Sequence, residues 1–183
     1  MNDTLKCIAE RYSCRDFVDT PLTDAQVKAI VEAALASPSA MNRQPWHVIM
    51  ITDKSLIDEM DSAALDVLAA EEDKSAYERT MSRGGKLFYN APCMVMVASD
   101  GSDFGPMDSG ILSENVSLAA HSLGLGNVIC GMARFPFMGP RGDELLKRIK
   151  FPEGYEFGMA ILIGTAKSGK APHELDYNKV TYI

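Results

Sequence analysis

Apolar residues recur along this chain with two periods, and the switches between them mark out its elements. Over residues 3–12, Leu5, Ile8, Ala9 and Tyr12 fall at helical spacing and predict a short amphipathic helix. A second helix has a defined start. Thr23 can cap it, Gln26 stands three residues on as in a capping box, and Leu22 with Val27 can form a hydrophobic staple. Its stripe is Val27, Ile30, Val31, Ala34 and Leu35, and it stops before Pro38. From Trp46 to Thr52 the run is apolar on both faces, which predicts an interior strand. Residues 53–71 return to the helical period with Leu56, Ile57, Met60, Ala64 and Leu68.

From Glu71 to Tyr89 the pattern fades into polar and charged residues punctuated by Gly84-Gly85, the profile of a partly helical, mobile lid. Pro92 to Ser99 reads as a second buried strand. A long helix then opens at Asp108, read as an N-cap, or at Ser109, and reaches about Leu123. Its body, Ile111 to His121, carries one acid and no lysine or arginine, so most of it is expected to be covered, by the core or by another subunit. Asn127 to Gly131 forms a short strand, 142–150 a small helix and Glu156 to Gly164 a last interior strand. The tail, 165–183, ends in β-like Lys179 to Ile183 and has too little apolar content to stand alone, so it is expected to lie on another surface, such as a neighbouring subunit. About four strands and at least four helices, with no repeats or linkers, predict one α+β domain over residues 1–183. Its form is a three-layer sandwich: helices on both sides of a central mixed, mainly antiparallel sheet.

Between the second helix and the first strand lies Ser37-Pro38-Ser39-Ala40-Met41-Asn42-Arg43-Gln44-Pro45-Trp46. Two prolines stiffen it, and small hydroxyls and side-chain amides are spaced along the stiff frame. A plain connector needs none of these; they suit hydrogen bonding to something polar and flat.

Composition narrows the class. At 183 residues, 46% hydrophobic and 23% charged, the chain can bury a core without staples. A net charge of −7 and a pI near 4.9 argue against nucleic acid or an anionic membrane as partner. No signal peptide or membrane-spanning run is visible. Cys7, Cys14, Cys93 and Cys130 lack metal-site spacing and read as reduced thiols of a cytoplasmic protein.

Against that acidic background the basic clusters stand out. Arg11-Tyr12-Ser13-Cys14-Arg15 puts two guanidiniums four residues apart at a helix end, with a hydroxyl between them. Arginine recognises phosphate, or a carbonyl–nitrogen edge, with two hydrogen bonds at once. Two solvated arginines are the plain alternative. Lys167 and Lys170 follow the last strand, and Cys130-Gly131-Met132 follows a shorter one, where glycine lets another group approach the backbone. Nothing evident lowers the pKa of Cys130, so it is a poor candidate nucleophile. Arg83, Lys86 and Arg134 border irregular segments and are candidates for an anionic substrate or the phosphates of a dinucleotide, with surface charge as the alternative.

Arg-x-Ser-x-Arg-x-Phe, then an amphipathic helix, then Ser-Pro-Ser-x-x-Asn-x-Gln-Pro-Trp entering a strand, resembles the FMN-dependent nitroreductase family, in its short-chain branch. Ala91-Pro92, Asp108-x-Gly110, Leu123-Gly124-Leu125-Gly126, Pro152-Glu153-Gly154-Tyr155 and Gly164-Thr165 continue the likeness over nearly the whole chain. The resemblance implies an obligate homodimer with two FMN molecules at its interface and NAD(P)H as electron donor. It implies hydride transfer through the flavin N5, by a ping-pong cycle, to a small-molecule acceptor: a nitroaromatic, a quinone or another electron-poor compound. No catalytic side chain is implied. By position, Arg11 and Ser13 would hold the phosphate, Tyr12 between them would also contact the cofactor, and Arg15 would face the N1–C2 carbonyl edge or ribityl chain. Pro38, Ser39, Asn42 and Gln44 would come from the partner. Cys130, Gly131 and Met132 would lie along the N5–C4 carbonyl edge, and Lys167, Lys170 or His173 would complete the phosphate site. Relatives that dehalogenate substrates or fragment flavin, and a flavin-binding redox module without turnover, remain alternatives.

Overall fold

A computed structural model describes residues 1–183. Its elements are α1 (Asp3–Glu10), α2 (Asp24–Leu35), β1 (Trp46–Ile51), α3 (Lys54–Ala70), α4 (Ser75–Met81), β2 (Cys93–Ser99), α5 (Gly105–Ser122), β3 (Gly126–Ile129), α6 (Gly142–Arg148) and β4 (Glu156–Gly164), with short 3-10 turns at Ala40–Asn42, Gly131–Met138 and Tyr177–Lys179. The strands form one sheet in the order β1-β2-β4-β3, every neighbouring pair antiparallel. The parallel component of the expected mixed sheet reduces to one bridge, Ser13 to Asn127.

Alternation along the strands divides the core into two layers. Met94, Met96, Ala160 and Leu162 face Ile57, Met60 and Ala64 of α3. Cys93, Val95, Val97, Ile161 and Ile163 face Ile30 and Ala34 of α2 and Leu112, Val116 and Ala120 of α5. Both faces of β2 are covered, which is why its run of Cys-Met-Val-Met-Val shows no polar alternation. The three layers are therefore helix, sheet, helix.

Local rules account for several boundaries. The capping box of α2 forms as its sequence predicts: Gln26 N–H donates to Thr23 Oγ1 at 3.3 Å, and Gln26 Oε1 accepts from Thr23 N–H at 2.9 Å. Asp53 caps α3 through the N–H groups of Ser55 and Leu56, at 2.9 and 3.2 Å. No helix is long and apolar enough to cross a membrane.

Four expectations are corrected. The first helix ends at Glu10 rather than at residue 12, and its Leu5 and Ile8 stay about half exposed. Strand β1 lies at a sheet edge, not in the interior. Helix α5 starts at Gly105, so Asp108 is no N-cap; it sits inside the first turn, 3% exposed. Residues 179–183 form no strand, and Tyr182 and Ile183 are exposed.

Candidate active site

The segment after α1 is extended, not helical: Arg11 has φ −58° and ψ 135°. Ser13 bridges to Asn127 of β3, and Arg11, Ser13 and Arg15 open onto one hollow with Tyr12 beside them. Cys14 is buried and Tyr12 packs on the core beside it. Cys14 N–H donates to Asn127 O of β3 at 2.8 Å, Phe17 N–H to Tyr89 O at 3.2 Å and Val18 N–H to Thr165 O at 2.9 Å. These bonds stitch the segment to the sheet edge. Gly126 is required there, because a Cβ at that position would lie 2.9 Å from Cys14 Sγ.

The start of the tail is fastened to the same segment. Lys167 N–H donates to Asp16 O at 3.0 Å, and the Tyr12 hydroxyl donates to Ser168 O at 3.2 Å. This brings Lys170 and His173 beside Arg11, Ser13 and Arg15. Arg11, Tyr12, Ser13, Arg15, Lys170 and His173 line one hollow of about 220 Å³. A neighbouring hollow of about 370 Å³ shares Tyr12, Ser13, Arg15 and Lys170 and adds Arg83 and Tyr89. Together they make a cleft walled by cations on a chain of net charge −7. Arg11 pairs loosely with Glu114 at 3.9 Å. Lys167 does not line the cleft; its ammonium stands 3.9 Å from Asp16 and is two-thirds exposed.

Cys130 N–H is bonded to Ala160 O at 2.7 Å, and Gly131 and Met132 open the 3-10 turn that follows. Burial pushes the Cys130 thiol up to about 11, and the nearby Arg15 charge offsets little of that. The thiol is protonated near neutral pH and offers no nucleophile.

Pro38, Ser39, Asn42 and Gln44 lie elsewhere on the same chain and line neither hollow. Their loop is internally fixed. Ser39 Oγ accepts from Gln44 N–H at 2.8 Å, the Gln44 amide donates to Asn42 Oδ1 at 3.2 Å, and Asp108 accepts from Ala40 N–H at 3.2 Å. Met41, Asn42 and Gln44 all have positive φ, near 50°, which costs non-glycine residues strain. The Asn42 and Gln44 side chains are exposed on this strained frame. Sequence reasoning missed Tyr89 and misassigned Asp108, whose role depends on contacts 68 residues apart.

The description "Nitroreductase family" fits residues 8–165. The chain belongs to that family. Its fold superposes with a TM-score of 0.96 on the crystal structure of a nitroreductase with bound FMN from Desulfitobacterium hafniense, 49% identical, over 100% of this chain and 99% of the other. It is 28% identical to an Archaeoglobus fulgidus protein provisionally named NADH dehydrogenase/NAD(P)H nitroreductase, over 96% of this chain and 92% of that one. It is 27% identical to the FMN reductase [NAD(P)H] of Bacillus subtilis, over 100% of this chain and 76% of that one.

Proposed function

We propose that this single-domain chain is an FMN-dependent oxidoreductase that draws electrons from NAD(P)H and passes them to a small electron-poor acceptor, nitroaromatic or quinone, as a cytoplasmic homodimer. The observation that carries the reading is the cleft itself: Arg11, Ser13, Arg15, Lys170 and His173 around one hollow, in an acidic protein. That donor set fits a phosphate dianion, which needs charge-assisted hydrogen bonds from guanidinium, ammonium and hydroxyl together.

Bound FMN would supply the redox chemistry, accepting a hydride from the donor and delivering it to the acceptor. The chain's own residues bind and tune. Arg11, Ser13 and Lys170 would hold the phosphate, with Tyr12 keeping the tail in place through Ser168. Arg15 would set a positive charge beside the ring's pyrimidine edge or the ribityl chain; beside the ring, it favours the electron-rich state and raises the potential. Cys130, Gly131 and Met132 would present backbone to the opposite edge, and Lys167 would add only long-range positive potential. Pro38, Ser39, Asn42 and Gln44 would arrive from a second copy. The support for a dimer is the exposed apolar surface: Leu5 and Ile8 of α1, Met107 and Ile111 of α5, and Tyr182 and Ile183 of the tail are 42% exposed or more. Donor and acceptor would use one pocket in turn.

The visible spectrum of the purified protein tests this reading. Flavin absorption that NADH or NADPH bleaches anaerobically, and that a nitroaromatic or quinone restores, is the expected result. A colourless protein that takes up no added FMN overturns it.

A further inference from the structure

One wall of the cleft carries Arg83, to which the cofactor reading gives no role, and a crevice beside it adds further cations. Helix α4 ends in a turn closed by Arg83 N–H to Thr80 O and Gly85 N–H to Thr80 O, both 3.1 Å. Gly84 and Gly85 take φ of +98° and +68°, open to glycine and strained for other residues. The turn places Arg83 on the 370 Å³ hollow beside Arg15, Tyr89 and Lys170. Arg83 also lines a crevice with Arg79, Thr80, Lys86, Leu87, Tyr89 and Met132, of about 40 Å³. A carboxylate has three heavy atoms, and a crevice of that size holds roughly three water-sized atoms.

The wall is anchored from below. Asp61, 2% exposed on α3, accepts from Phe88 N–H at 2.6 Å, and its other oxygen lies 4.0 Å from Lys86 Nζ. Asp58 is 3.5 Å from the same ammonium, so Lys86 is neutralised within the chain. Arg79 and Arg83 are not. The chain has 25 acidic side chains against 18 basic ones, yet neither guanidinium forms an ion pair, and no acid lines the crevice. Arg79 only lowers the carboxyl of Asp73 through space. Arg134, the other cation flagged by the sequence, lies over the Phe135 ring, 5.4 Å from its centroid, and lines neither cavity.

We propose that Arg79 and Arg83 form an anion subsite that selects acceptors bearing a carboxylate or sulfonate, with the electron-poor ring lying toward Met132 and the anionic group in the crevice. The planar guanidinium fork matches a carboxylate with two parallel hydrogen bonds. The inference rests on the proposed function for which part of the substrate faces Met132; the anion subsite itself rests on the unpaired guanidiniums alone.

The test compares two ligands of like shape, 4-nitrobenzoate and 4-nitrobenzyl alcohol, by isothermal titration of the purified dimer whose flavin content is first recorded by its spectrum. The benzoate is expected to bind about tenfold tighter, and the double variant Arg79→Gln/Arg83→Gln to bring the two within about twofold. Equal affinities in the unaltered protein overturn the subsite, as does a preference that survives the double variant. A rise of about tenfold in the FMN Kd of the variant would assign the guanidiniums to the cofactor instead. A selective rise in KM for NADPH over NADH, with the benzoate preference kept, would assign them to the donor; either result overturns the proposal. Flavin-free protein that keeps the benzoate preference sinks the cofactor reading alone, and flavin-loaded protein without the preference sinks the subsite alone.

Discussion

Replacing Arg15 by alanine removes a guanidinium whose only neighbouring acid in the cleft lining is Asp16. A charge-assisted hydrogen bond contributes about 1.5–3 kcal/mol, so Arg15→Ala should raise the FMN Kd roughly ten- to a hundredfold, read by fluorescence titration. Unchanged affinity together with an unchanged potential would remove Arg15 from the site. Asp61 separates two effects at one buried carboxylate, which burial holds above its usual range. Asparagine there still accepts from Phe88 N–H, so Asp61→Asn should stay within about 1 kcal/mol of the parent in urea unfolding. Asp61→Ala orphans that N–H and should lose about 2–3 kcal/mol. The thiols give a pH signature. Burial holds Cys93 up to about 12 and Cys130 up to about 11, against 9.0 for an ordinary thiol. Above pH 9 the unfolded chain releases protons that the folded chain keeps, so stability should fall as pH rises from 9 toward 11, by on the order of 1 kcal/mol per unit for each thiol. Thermal melts at pH 8, 9 and 10 read this; a flat profile would show that these thiols ionise as easily folded as unfolded.

Among the elements, the loop after α2 holds its shape by a contact that is invisible locally. Asp108, 3% exposed, binds Ala40 N–H from the first turn of α5. Asp108→Ala should destabilise the fold by about 2 kcal/mol and loosen the loop, weakening FMN binding without touching the cleft cations. A urea midpoint and an FMN titration measured on the same sample check both halves. In the sequence Asp108 looked like a cap because an acid standing before an apolar helical run is the usual cap signal. The actual start, Gly105-Pro106, has no capping side chain; the proline in its first turn was the one local cue to the true boundary, and the acid at 108 outweighed it. The capping box of α2 was legible because Thr23 and Gln26 satisfy each other without outside help. Arg11-x-Ser-x-Arg15 was legible as a cluster and not as a cavity wall: docking against β3 and the return of the tail set the hollow that the three side chains line. Strand β1 was misplaced for a related reason. Apolar residues on both faces report cover, and a strand at a sheet edge can be covered on both faces as well as one in the interior.

At the scale of the whole molecule, the two parts of the proposed flavin site line no common hollow within one chain. The Arg11–Arg15 face lines the cleft, and the loop with Asn42 and Gln44 does not. The proposed site needs a second copy to bring them together, and the proposed surface for it is the exposed apolar residues of α1, α5 and the tail. Pattern singled out α5 and the tail as elements to be covered by the core or by another subunit, but not which residues, since exposed apolar residues and core residues share one helical stripe until the packing is known. Complementation between variants measures the claim most directly. Arg15→Ala and Asn42→Ala/Gln44→Ala chains, each impaired in FMN binding alone, are co-expressed with different affinity tags and isolated as mixed dimers. If each site joins the Arg11–Arg15 face of one copy to the loop of the other, a mixed dimer holds one doubly altered site and one intact site, so it should bind about one FMN per dimer at the parent's affinity. Mixed dimers that bind no better than either variant alone would place both halves of the site on the same chain and contradict the account.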